Sequence, residues 1–90
     1  MTSVTLTIKK HFFEKILNNE KSIEYRKDSM FYKTRFERLP RILRLHYQKK
    51  RILEVEILKI ERLKTPNHLS MIRTEFCYLI HLKENSAKIV

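Results

Sequence analysis

Apolar residues alternate with polar ones at the start of the chain and then change to a helical spacing. Val4, Leu6 and Ile8 alternate with threonines, which predicts a short strand with one buried face. From residue 10 the apolar positions follow the i, i+1, i+4, i+5 spacing of a single helical stripe. These positions are Phe12, Phe13, Ile16 and Leu17. The pattern predicts one main amphipathic helix, which ends near Asn18 and Asn19 because asparagine tolerates the left-handed conformation common after a helix.

A second alternating segment follows the helix. In the strand predicted over residues 22–26, Ile23 and Tyr25 are expected to face the core, while Glu24 and Arg26 share the opposite face. This predicts a charged pair side by side on one face of a strand.

The rest of the chain predicts further strands around one irregular segment. Residues 27–40 have no clean period and are interpreted as a long, partly packed loop. Residues 41–47 and 52–62 predict the two strands of a hairpin, and a slip in phase near Ile57 is typical of a bulge or sharp coil. A last strand is predicted over residues 76–82.

About five strands and one main helix predict the α+β fold class, with the strands forming a small, partly closed mixed barrel. An open flat sheet in so short a chain would leave its edges uncovered, which favours partial closure. Ninety residues suffice for one domain, over 1–90, and not for two. The tail over 85–90 is expected to be frayed.

The chain is strongly basic, with twenty Lys and Arg against ten Asp and Glu and a formal net charge of +10. Such a balance predicts a polyanionic partner. From Arg26 to Arg51 there are ten basic and two acidic residues, interleaved with Tyr32, Phe36 and Tyr47, which are expected to stack on bases. The alternative is a solvated basic loop with aromatics in the core. The residues expected to contact a nucleic-acid backbone are Lys27, Lys33, Arg35, Arg38, Arg41, Arg44, Lys49, Lys50 and Arg51.

Metal, cofactor and membrane functions have no support in the sequence. Cys77 is the single cysteine, so no internal disulfide and no cysteine-built zinc site is expected. The histidines lack metal-ligand spacing, and the absence of glycine argues against a phosphate-binding loop. The four histidines are His11, His46, His68 and His81. No apolar run reaches the roughly 18 residues of a membrane span. We therefore expect a cytoplasmic protein without metal, cofactor or membrane partner.

Residues 6–27 resemble the opening of ASCH domains, in which an I-K-P-like strand end, an amphipathic helix and a G-x-K-x-x-E-x-R motif follow in order. The resemblance implies a PUA-like barrel whose cleft, between barrel and helix, accepts RNA or a modified nucleoside. By motif position Lys21 is the cleft lysine, Glu24 and Arg26 project from the next strand, and Lys9 enters from the first. These four residues are the predicted ligand-binding site.

The resemblance leaves the activity open. Some family members are ribonucleases or amidohydrolases acting on N4-acetylcytidine, which implies a catalytic alternative with Lys21 as base or nucleophile and Glu24 as proton shuttle. The chain departs from the pattern at residues 19–20, where the family has glycine, and at Lys10, where it has proline. From spacing alone, Lys21, Glu24 and Arg26 are interpreted as an ion pair that orients Arg26 toward solvent.

Three functions are therefore predicted for testing. The first is an RNA- or nucleotide-binding module, and the second is a hydrolase of a modified nucleoside or RNA in the same cleft. The third is a small basic protein, of phage or mobile-element type, that docks on an acidic surface of a host protein.

Overall fold

A computed structural model describes residues 2–48 and 51–90, so the predicted backbone contacts Lys49 and Lys50 lie outside the described residues. In this part of the chain six strands and two helices follow one another. They are β1 (Ser3–Thr7), α1 (Lys10–Leu17), β2 (Ile23–Lys27), α2 (Met30–Phe36), β3 (Ile42–Gln48), β4 (Arg51–Lys64), β5 (Phe76–Leu82) and β6 (Lys88–Ile89).

The strands form one curled, open mixed sheet, a half-barrel, in the order β1-β3-β4-β5-β2 with β6 paired to β4. β1 pairs with β3 in parallel, and the other pairs are antiparallel. The register of β4 on β5 shifts between Ile57 and Lys59, which leaves Leu58 exposed. This confirms the predicted bulge. Because the bulge bends β4, one long strand pairs with β3 along its first half and with β5 along its second.

The core lies between the concave face of the half-barrel and α1. Leu43, Leu45, Leu53 and Ile80 are fully buried, and Phe13 of α1 packs on the same cluster. Each such side chain contributes about 1.5–3 kcal/mol on burial. The apolar faces predicted for the strands and for the main helix therefore pack together in one small core.

The end of α1 follows the predicted asparagine rule. Asn19 has a φ of 60°, and its side chain exchanges hydrogen bonds with Asn85, donating from Nδ2 to Oδ1 at 2.8 Å and accepting from the backbone N–H at 3.0 Å. These contacts tie the turn after α1 to the segment after β5.

Residues 27–40 are not a long loop, because α2 occupies Met30–Phe36. Ser29 caps the helix by accepting a hydrogen bond from the N–H of Tyr32 at 3.4 Å, and Leu39 with a φ of 49° ends the segment before Pro40. α2 buries Phe36 and leaves Met30 exposed, so it lacks the apolar stripe that identified α1.

The two faces of β2 are reversed relative to the prediction. Glu24 is buried, at 5% exposure, while Ile23 and Tyr25 are only partly buried. Glu24 lies opposite Ile80 and Arg26 opposite Tyr78 in the register with β5. Glu24 and Arg26 therefore face the concave side of the sheet. The buried carboxylate of Glu24 is neutralised there by ion pairs with Arg26 and Lys21.

The C-terminal tail, expected to be frayed over 85–90, contains β6. Ile89 lies opposite Leu53 of β4, and the N–H of Val90 donates to the Ile52 carbonyl at 3.0 Å. β5 pairs with β4 only from Ile57 onward, so the first half of β4 has an open edge that β6 occupies. Neither helix in the described residues has the length and apolar character that crossing a bilayer requires.

Candidate functional site

An open groove of about 700 Å³ lies where the end of β1, the start of α1, β2 and α2 meet the β4–β5 connection. We call it the cationic groove. Its lining contains four cations and one carboxylate, a formal excess of three positive charges, together with aromatic and apolar side chains. The residues lining it are Thr7, Ile8, Lys9, Phe12, Lys21, Glu24, Tyr25, Arg26, Lys27, Tyr32, His68, Leu69, Ser70, Met71 and Ile72.

Glu24 holds the centre of the charge cluster. Its Oε1 lies 3.1 Å from Lys21 Nζ, and its Oε2 accepts from Arg26 Nη2 at 2.6 Å. Charge-assisted hydrogen bonds of this kind are about twice as strong as neutral ones. Both carboxylate oxygens are engaged by cations, so Glu24 fixes the positions of the lysine and the arginine.

Arg26 links the two ends of the half-barrel. From β2 it donates to the carbonyl of Thr7 on β1 at 2.8 Å and to the hydroxyl of Tyr32 on α2 at 3.2 Å. Burial alone would lower the pKa of its guanidinium, but the Glu24 charge and the hydrogen bonds to Tyr32 and Glu24 raise the pKa above its ordinary value. Its Nε has no hydrogen-bond partner among the described residues. Arg26 is thus a permanent, fixed cation at the open side of the sheet.

Lys21 lies over aromatic rings as well as beside the carboxylate. Its Nζ is 4.6 Å from the centre of the Phe12 ring and 5.7 Å from that of Tyr25. Cation–π contacts of this length add about 0.5–1 kcal/mol at exposed sites. Lys9 sits at the start of α1, where its side chain makes no capping hydrogen bond and is exposed to solvent. It is therefore available to an anion in the cationic groove.

The β4–β5 connection forms the opposite wall, and its base is anchored. The N–H of Thr65 donates to the carbonyl of Glu75 at 2.8 Å, and Thr65 Oγ1 donates to the carbonyl of Thr74 at 2.7 Å. Asp28 binds the same base, with its N–H on Thr74 Oγ1 at 3.2 Å and its Oδ2 accepting from Arg62 at 2.6 Å. The Arg62 hydrogen bond lowers the pKa of the Asp28 carboxyl below its ordinary value. Residues 68–72 project from this base into the lining of the groove.

The structure brings together the four residues predicted as the ligand site, because Lys9, Lys21, Glu24 and Arg26 all line the cationic groove. The interpretation from spacing alone was wrong about the direction of Arg26. Its side chain is 14% exposed and bonds inward across the open side of the sheet.

The predicted backbone contacts are divided among several surfaces. Lys27 lines the cationic groove, whereas Arg35 and Arg38 line a separate hollow beside β1. Arg44 on β3 is ion-paired with Glu54 on β4 at 3.1 Å. The other described members of the set, all exposed, are Lys33, Arg41 and Arg51.

Of the three predicted stacking residues, Tyr32 alone lines the cationic groove. Phe36 is a core residue, 4% exposed and edge-on to Tyr78 at 4.9 Å, so the prediction that it stacks on a base was wrong. Tyr47 packs against Phe13 at 5.2 Å on the margin of the core. Tyr32 stacks at 5.7 Å on Phe36, which covers one of its faces.

Sequence reasoning missed several groove residues. The apolar stripe of α1 predicts a core position for Phe12, yet its side chain is half-buried and supports Lys21. Tyr25 was also expected in the core and instead lines the groove. Residues 68–72 carried no signal, since their role depends on where the β4–β5 connection folds. No group of three His, Cys, Asp or Glu side chains in the described part of the chain is placed to hold a metal ion.

No protein-family profile, curated protein sequence or solved structure matches this chain.

Proposed function

We propose that this protein is an RNA- or nucleotide-binding module of PUA-like type, in which the cationic groove holds one nucleotide. The observation that carries the proposal is the groove itself, about 700 Å³, with four cations against one carboxylate and aromatic rings in its lining. Small-molecule sites are typically about 300–1,000 Å³, so one nucleotide is of suitable size.

Charge supports an anionic ligand. Lys9 and Lys27 are exposed cations in the lining and form no ion pair with a described carboxylate, so they are free to contact phosphate. Arg26 and Lys21 are held in place by Glu24, so the field of the groove is fixed before a ligand arrives.

Aromatic side chains support a base beside the phosphate. Tyr32 and Tyr25 line the groove together with Phe12, and single-stranded RNA is commonly bound by stacking on such rings. The resemblance of residues 6–27 to ASCH domains agrees with this assignment, and the half-barrel covered by α1 is compatible with a PUA-like fold.

We propose binding rather than hydrolysis because the groups of the catalytic alternative are engaged with each other. Glu24 contacts a cation through each oxygen, and Lys21 is one of those cations. A carboxylate in this position orients the two cations, which is the role that a binding site requires of it.

A salt titration of binding tests the proposal. The probe is a fluorescein-labelled, mixed-sequence RNA of eight nucleotides, followed by anisotropy. Phosphate contacts from the two exposed lysines of the groove, Lys9 and Lys27, predict a slope of log K against log salt of about −1.4 for a single strand. Lys9→Ala should reduce the slope by about 0.7, because one contact is lost, and it removes no helix cap. Lys15→Ala is the matched control, an exposed lysine of the same helix outside the groove.

The aromatic contact has its own test. Tyr32→Leu should weaken binding by about 5- to 150-fold, the range for loss of one base stack, while Tyr32→Phe keeps the ring and should bind within a fewfold of wild type. Equal losses for Lys9→Ala and Lys15→Ala, or no RNA binding at low salt, would count against the groove as the site.

A further inference from the structure

β1 is an end strand of the sheet, and half of its backbone groups face away from β3. In a parallel pair alternate residues bond to the partner strand. Ile8 donates to β3 at 2.9 Å and Thr2 accepts from β3 at 3.3 Å, so even-numbered residues face β3. Thr7, out of phase with them, points its carbonyl to the other side, where Arg26 binds it. The N–H and C=O groups of Ser3 and Thr5 therefore face the free edge.

The β1 strand itself carries no feature that prevents strand pairing. Edge strands are normally blunted by lysine, proline, a bulge or a closely packed helix, and here two hollows separate β1 from α2. β1 has the sequence Ser-Val-Thr-Leu-Thr and pairs with β3 in an unbroken register, with no charged residue in a chain of net charge +10. The other end strand, β2, carries Glu24, Arg26 and Lys27. The open side of β1 is therefore suited to accept another strand.

Two hollows lie along this edge, between β1 and one face of α2, and we call them the edge hollows. One, of about 360 Å³, is bounded by residues 2–4 and by Arg35 and Arg38. The other, of about 310 Å³, is bounded by residues 5–7, by Phe31 and Tyr32 of α2, and by His46 of β3. Phe31 and Arg35 are spaced i, i+4, which places them on one face of α2, and Arg38 lies in the turn just after the helix. Together the linings of the edge hollows include every residue of β1.

The charge of the edge hollows selects the partner. Arg35 is fixed in position, with its guanidinium 3.4 Å from the centre of the exposed Phe31 ring and one N–H on the Phe31 carbonyl at 2.9 Å. Neither Arg35 nor Arg38 forms an ion pair with a carboxylate in the described part of the chain. A guanidinium has five N–H donors, so both retain donors for a carboxylate. A second copy of this chain would bring the same cations and be repelled.

From these observations we propose that the free edge of β1 binds an extended acidic peptide as an added strand. The backbone of Ser3 and Thr5 supplies the ladder hydrogen bonds, and Arg35 and Arg38 bind acidic side chains of the peptide. Main-chain bonds give affinity in such complexes and alternate side chains give specificity. A nucleic-acid backbone lacks the alternating N–H and C=O groups, at the repeat of a strand, that pair with a sheet edge, which favours a peptide.

Binding of designed peptides tests the proposal. The probe is a fluorescein-labelled, end-blocked octapeptide of alternating glutamate and valine, with lysine in place of glutamate as its control. The acidic peptide should bind and shift the amide resonances of Ser3 and Thr5. The double variant Arg35→Ala/Arg38→Ala should weaken it by about tenfold, since an exposed ion pair contributes up to about fivefold. Arg73→Ala/Lys88→Ala removes the same charge from exposed positions outside the edge hollows and should change affinity less than twofold.

Two N-methylated peptides test the backbone pairing. One is methylated on every glutamate nitrogen and the other on every valine nitrogen. Because alternate N–H groups of a strand point to opposite edges, one peptide should lose at least about tenfold in affinity and the other should still bind. Thr5→Pro, which removes an outward N–H, should weaken the unmethylated peptide; if this variant does not fold, the methylated peptides decide.

Three results would overturn the inference. The first is equal binding of the two methylated peptides, and the second is no preference for the acidic peptide over the basic one. The third is an RNA octamer that displaces the peptide and is itself weakened by Arg35→Ala/Arg38→Ala, which would assign the edge hollows to nucleic acid.

Discussion

Replacing the buried carboxylate of Glu24 by an amide tests the ion cluster that closes the open side of the half-barrel. Glu24 is 5% exposed and neutralises two cations, whose side chains are 17% exposed for Lys21 and 14% for Arg26. Removing one partner of a fully buried ion pair costs about 3–5 kcal/mol. Water still reaches both cations and glutamine keeps one acceptor, so we expect Glu24→Gln to cost about 2–3 kcal/mol.

Thermal and urea unfolding measure this cost. For a domain of this size, 1 kcal/mol lowers the melting temperature by about 4–8 °C, so Glu24→Gln should melt about 10–20 °C lower than wild type. Glu20→Gln is the matched control, an exposed carboxylate of the same connection, and should change the free energy of unfolding by less than about 0.5 kcal/mol.

A double-mutant cycle with Arg26→Met separates the pair from its surroundings. If Glu24 acts through the 2.6 Å contact, the double variant should be less destabilised than the sum of the single variants, by at least about 1.5 kcal/mol. Two results would refute the reasoning. One is that the changes in the free energy of unfolding for the single variants add to that of the double variant within about 0.5 kcal/mol. The other is that Glu24→Gln destabilises the protein no more than Glu20→Gln does.

Other elements of the fold give further predictions. The folded-state pKa of Asp28 is depressed by Arg62, so its contribution to stability is present above the unfolded pKa of about 3.9 and is lost as pH falls through the folded value. Asp28→Asn should therefore flatten the acid limb of stability measured by urea unfolding between about pH 6 and 2.5; an unchanged limb would contradict the shift. Phe36→Ala should cost about 3–5 kcal/mol and Phe31→Ala, at an exposed position, less than about 1; equal costs would place Phe36 outside the core. Deleting residues 88–90 should cost about 1–2 kcal/mol through lost hydrogen bonds to β4, whereas no loss would indicate a frayed tail.

The elements predicted from the sequence are those with a local period. β1, α1, the β3–β4 hairpin and β5 each show their apolar spacing within a few residues, and the slip near Ile57 marks a real bulge. α2 was missed because its position depends on a distant residue. It is stabilised by the contact of Phe36 with Tyr78 of β5, while Met30 and Phe31 remain exposed. A helix that buries mainly one aromatic side chain, here Phe36, shows no apolar stripe in its sequence.

The part of the candidate site that has a local sequence pattern could be predicted, and the part that depends on distant contacts could not. Lys21, Glu24 and Arg26 lie close in sequence, so their proximity follows from one turn and one strand. The inward direction of their side chains does not follow from the sequence. The rule that apolar residues face the core assumes that charged residues stay outside, and it fails where charges are paired inside. The second wall, over 68–72, reaches the groove through the β4–β5 connection, and no spacing within it indicates that contact.

The open side of the sheet, the ion cluster and the proposed nucleotide site are one structural feature. The two end strands are joined by the Arg26 side chain on the Thr7 carbonyl, so a ligand that withdrew Arg26 would break the contact that holds β1 to β2. Withdrawing it would also leave Glu24 buried without its 2.6 Å partner, at a cost of several kcal/mol. We therefore expect the proposed nucleotide to leave this pair intact and to contact the exposed Lys9 and Lys27 instead. In the proposed binding mode Arg26 and Glu24 shape and charge the cationic groove, and salt is expected to weaken the affinity contributed by the two lysines at its rim.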